Sequence, residues 1–116
     1  MQLMVVVLNK IACMPAILSG FMEQGIGGTT IVDCEGALRV IGQSSVEPPP
    51  IFGALRQFLN PERAAGKLLL TVLDESNLER AKKIVDNAVG GIGNPDTGII
   101  FTIALTGVEG LAKYNK

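Results

Sequence analysis

Lys67-Leu68-Leu69-Leu70-Thr71-Val72-Leu73 precedes Asp74 to Val89, and Gly98-Ile99-Ile100-Phe101-Thr102-Ile103-Ala104-Leu105 follows shortly after. The two outer stretches are short, nearly unbroken apolar runs, as expected of strands buried in a sheet. Between them, Leu78, Ala81, Ile84, Val85, Ala88 and Val89 recur at three- and four-residue spacing. That spacing gives a helix one apolar face, with Arg80, Lys82 and Lys83 toward solvent. Ser76 is the predicted N-cap, and Glu79 three residues on completes a capping box. The whole stretch is a strand–helix–strand unit.

The same order stands earlier in the chain. Leu3-Met4-Val5-Val6-Val7-Leu8 is an apolar run. Met14-Pro15 opens a helix, with proline tolerated in the first turn. Ile17, Leu18, Phe21 and Met22 give that helix its apolar face, and the glycines from Gly25 to Gly28 end it. Thr29-Thr30-Ile31-Val32-Asp33-Cys34 is rich in β-branched residues and reads as a second strand. Two βαβ units predict an α+β domain, a ferredoxin-like βαββαβ sandwich with a four-stranded antiparallel sheet and two helices on one face. The other face is left bare. With 47% hydrophobic and only 18% charged residues, the bare face is expected to be covered by further subunits.

The 116 residues suit one domain spanning 1–116, in which Glu35 to Gly66 is a long central loop. Within it, Gly42 to Pro50 has a flexible or polyproline-like composition. Ile51, Leu55, Phe58 and Leu59 have helical spacing, with Asn60-Pro61 as a stop.

Composition narrows the function classes. A net charge of −1 gives no general drive toward nucleic acid or acidic membranes. No apolar run reaches the roughly 20 residues that span a bilayer. Met1 to Leu8 lacks a basic leader, so it reads as a first strand and the cytoplasm is the expected location. Histidine is absent, which removes Ser-His-Asp and Cys-His catalysis and imidazole metal ligation. Cys13 and Cys34 fit neither a disulfide scaffold nor a metal knuckle. A thiol enzyme built on Cys13 would lack a base, so no enzyme activity and no catalytic residue is expected. Asp33 and Glu35 offer two oxygens to a divalent cation without a third ligand, so no metal site is assigned.

The turn Gly90-Gly91-Ile92-Gly93-Asn94-Pro95-Asp96-Thr97-Gly98 is the place to look for a function. Four glycines remove side-chain bulk, and successive N–H groups in such a turn can form an anion-binding concavity. The turn follows a helix, so it meets the negative pole of the macrodipole and needs cations from elsewhere. A tight helix-to-strand connection capped by Gly90 or Gly91 is the competing reading.

Taken together, the duplicated βαβ order, Asp33-Cys34-Glu35-Gly36 leading into the central loop, Val85 to Val89, Gly90-Gly91-Ile92-Gly93 and Gly98-Ile99-Ile100-Phe101 resemble the P-II nitrogen-regulatory protein family and its wider superfamily. The resemblance covers most of the chain. It implies a cytoplasmic homotrimer that binds an adenine nucleotide (ATP, ADP or AMP) in clefts between subunits, with phosphates on the glycine turn. It implies a central loop that contacts a target transporter or enzyme. On that resemblance the nucleotide- or anion-binding candidates are Gly36, Arg39, Gly91, Gly93 and Gly98.

This chain departs from the family pattern in three ways. Ile99 stands where the family carries lysine, Asn94 to Thr97 is an apparent insertion, and the basic pair beyond the last strand is missing. Each lost charge-assisted bond removes roughly 1.5–3 kcal/mol of phosphate binding. AMP, ADP or another small anion is therefore a more natural ligand than ATP. The only tyrosine, Tyr114, lies outside the central loop, so that loop offers no tyrosine for uridylylation. The rival reading is a structural or metal-tolerance trimer of the related CutA type, with no nucleotide.

Overall fold

The computed structural model describes residues 1–36 and 66–111. Strand β1 (Gln2–Leu8) leads through a short 3-10 turn (Ile11–Cys13) into helix α1 (Met14–Glu23) and strand β2 (Thr29–Cys34). The second half runs β3 (Gly66–Leu73), α2 (Glu75–Val89) and β4 (Gly98–Ala104). The sheet order is β2-β3-β1-β4, and every neighbouring pair is antiparallel. The chain is thus an α+β protein with a four-stranded antiparallel sheet and two helices, compatible with a ferredoxin-like fold.

The core forms because alternate strand residues meet helical ones on one side of the sheet. Met4, Val6 and Leu8 of β1 and Leu69 and Leu73 of β3 cluster with Ile17 and Phe21 of α1 and Ala81, Val85 and Val89 of α2. Both helices therefore cover the same sheet face. Each large side chain buried there contributes about 1.5–3 kcal/mol. Thr71 is the polar member of this layer, fully buried, and its hydroxyl meets that of Thr29 at 2.9 Å. The pairing satisfies a group that would otherwise be costly to bury.

Several boundaries differ from the expectations. The N-cap of α2 is Asp74, not Ser76. Its backbone is extended, its carbonyl accepts the Asn77 amide, and the Ser76 hydroxyl only reaches back to its carboxylate. Glu79 instead pairs with Lys82 one turn on. Met22 is 77% exposed and contributes nothing to the core, because the buried face of α1 is carried by Ile17 and Phe21, four residues apart. Pro15 does sit in the first turn of α1, and Gly90 caps α2 in the left-handed conformation at φ 78°.

The opposite sheet face is an apolar surface four strands wide. Across it run Val32, Leu68, Val7 and Ile99, then Leu70, Val5 and Phe101, then Val72, Leu3 and Ile103, as cross-strand neighbours. Ile99, Phe101 and Ile103 are 60%, 45% and 48% exposed, so the β4 side of this face is open to solvent. The expected Gly42–Pro50 stretch and the Ile51–Leu59 helix lie outside the described residues.

Candidate functional site

The topology gathers one end of the sheet. β1 and β2 finish there, β3 and β4 begin there, α1 starts there and α2 stops there. The glycine turn between α2 and β4 lies at this end, bound to the exit of β1: the amides of Asn9 and Lys10 both donate to the Thr97 carbonyl, at 3.1 and 3.3 Å.

The turn is stapled internally. The Gly91 amide donates to the Asp86 carbonyl at 2.8 Å, and the Ile92 amide to Asp86 Oδ1 at 2.8 Å. Asn94 Nδ2 donates to the Gly90 carbonyl at 2.7 Å. Thr97 is buried, and its hydroxyl is shared between the Ile92 and Asn94 carbonyls at 3.0 and 2.9 Å. Asp96 takes the left-handed conformation at φ 65°, which a short polar side chain tolerates better than most. The turn is a built structure with defined partners.

The glycines of the turn serve different ends. Gly98 has φ 146°, and a Cβ there would collide with the Val7 carbonyl oxygen. It is glycine so that β4 can lie against β1 at its first register position, opposite Leu8. Gly91 has φ 109°, and a Cβ would come within 2.8 Å of Asn94 Nδ2. Gly93 has no such reason: its φ is outside the left-handed range, and no atom lies within 4 Å of where a Cβ would stand. Nor does any acceptor among the described residues take its N–H. Its missing side chain leaves, among the described residues, an amide without a partner at the surface of the turn.

Gly36 shares that openness, with nothing within 4 Å of a Cβ position. It lies at the same end of the sheet but just past β2, at the edge opposite β4. Two strands intervene, which places it about 14 Å from the start of β4 at the usual strand spacing. Within one protomer Gly91, Gly93 and Gly98 are therefore together and Gly36 is apart. Arg39 lies outside the described residues, as does Tyr114.

Two charged residues at the turn escaped the sequence reading. Lys10 extends its ammonium to the Val89 carbonyl at 3.3 Å, countering the negative pole of α2. It is a cation brought to this end of α2 from the exit of β1. Asp86 places a carboxylate on the Ile92 amide. Lys67 and Asp33 pair across β3 and β2, so Asp33 is engaged rather than open to a cation. Cys13 and Cys34 are free thiols.

Among the described residues no group of three or more acidic or cysteine side chains could hold a metal ion. Among them, too, no helix is long and apolar enough to cross a membrane. A cavity of about 330 Å³ lies at the far end of the sheet, lined by Met1, Ile26, Val72, Asp74 and Asn77 among others, away from the turn. Comparison with known proteins finds no family model that matches the chain and no curated protein that matches it.

Proposed function

We propose that this chain is a P-II-like signalling protein. In this reading it assembles as a homotrimer, binds an adenine nucleotide or related small anion where the glycine turn of one subunit meets a neighbour, and regulates a partner transporter or enzyme through the central loop at about 35–66. The observation that carries it is Gly93. The fold gives no reason for its lack of a side chain, no acceptor among the described residues takes its amide, and its turn leaves the helix end whose Val89 carbonyl Lys10 binds. An exposed N–H with no Cβ in a rigid turn suits close approach by a phosphate. The intersubunit location is supported by the separation of Gly36 from the turn, which a second copy can bridge. Assembly is supported by the row of exposed Ile99, Phe101 and Ile103 along β4, since contiguous apolar patches in water mark interaction surfaces.

One observation favours the nucleotide-free, CutA-like reading: a carboxylate already occupies the Ile92 amide. Calorimetry with ATP, ADP, AMP and cyclic AMP, with and without Mg²⁺, separates the two. Binding of any of them that is lost on Gly93→Val supports the sensor. No heat from any of them supports the structural trimer. Sedimentation of the same sample gives the assembly state, and a monomer removes the shared premise of both.

A further inference from the structure

The turn supplies its own anion. Asp86 stands in the last turn of α2, where a negative charge faces the negative pole of the macrodipole and is disfavoured. The Ile92 amide compensates it there, donating to Asp86 Oδ1 at 2.8 Å. That amide is next to the Gly93 amide, which no acceptor among the described residues takes. A phosphate bound at Gly93 would therefore lie beside a carboxylate. Among the described residues, the cation bonded at this helix end is Lys10, held against the Val89 carbonyl, and Ile99 adds none.

We propose that Asp86 is the residue that sets ligand charge at this turn. Building on the sensor reading above, it admits a group of low charge, such as a monophosphate, and rejects a free polyphosphate. The repulsion grows with the charge brought to the site, so a ligand with one phosphate suffers less than one with three. The single ammonium of Lys10 balances one of these negative charges and not several.

Asp86→Asn tests this. Asparagine keeps an Oδ1 acceptor for the Ile92 amide, so the staple is preserved while the charge is removed. The probes are inorganic phosphate, AMP and ATP, titrated without divalent cations at low salt into the wild-type protein and the variant. The wild-type protein is expected to bind AMP more tightly than ATP. The variant is expected to bind ATP about tenfold more tightly than the wild type does, equivalent to about 1.4 kcal/mol, with smaller gains for AMP and phosphate. Binding by the variant alone also supports the assignment. If the wild-type protein binds these ligands and the variant binds ATP no more tightly, the role of Asp86 is overturned while the sensor reading stands. If neither protein binds any probe, the sensor reading falls and this role falls with it. Should the variant fail to fold, the amide resonances of the wild-type protein decide: saturation with AMP must shift Ile92 and Gly93, and an unmoved pair overturns the assignment.

Discussion

Gly98→Ala is the substitution on which the reading of the glycine turn depends most. At φ 146° the backbone occupies a region that costs an alanine about 1–3 kcal/mol. The new Cβ also meets the Val7 carbonyl oxygen, with the carbonyl carbon 3.2 Å and Leu8 Cα 3.3 Å away. All three are backbone atoms of the central strand β1, so none can swing aside as a side chain tip would. Forcing β4 outward costs about 1–3 kcal/mol more, the usual range for overpacking. The sum, about 4 kcal/mol, is a large share of the roughly 5–15 kcal/mol that holds a domain together. Urea unfolding followed by circular dichroism, at one fixed protein concentration, is the assay. With a slope near 2 kcal/mol per molar, typical of small proteins, the midpoint falls by about 2 M. Gly93→Ala in the same experiment stays within about 0.5 kcal/mol of wild type, as surface substitutions do. A Gly98→Ala protein of wild-type stability would refute the division of the turn into glycines required by the fold and a glycine left for a ligand.

Other perturbations address the turn and the open face. Thr97→Val removes the hydroxyl shared by Ile92 and Asn94 in a buried position, and thermal melts should show a loss of about 1–3 kcal/mol. Phe101→Glu places a charge in the middle of the open face; sedimentation should show a folded protomer that no longer assembles, and unchanged assembly would remove the sheet face as the subunit contact.

Much of the fold is legible in the sequence because its strands are apolar runs and its second helix has a regular face. Leu69, Thr71 and Leu73 and their neighbours alternate between the two sheet faces, but both faces are apolar, so the run alone does not say which side the helices cover. Met22 misled because it fits the spacing of the α1 face, yet α1 is short and its contact is satisfied by Ile17 and Phe21. Ser76 misled because a capping box is a local pattern, whereas Asp74 ends the strand and turns the chain. At the site, the glycines were visible and their different purposes were not, since Gly98 answers to a carbonyl more than ninety residues earlier. Lys10 was invisible for the same reason: its acceptor is 79 positions away. Asp86 did leave a signal. An acid in the last turn of a helix opposes the macrodipole, and that anomaly points to a compensating donor nearby.

Cys34 and Gly66 are directly paired where β2 hands over to β3, so residues 37–65 depart from and return to neighbouring strands. The sheet itself fixes the two anchors, whatever stretches between them. Halving the length of such an excursion changes the entropy of closing it by only about 0.6 kcal/mol, even for a chain with no order of its own. The length of that stretch can therefore change, longer or shorter, at little cost to the body beneath it.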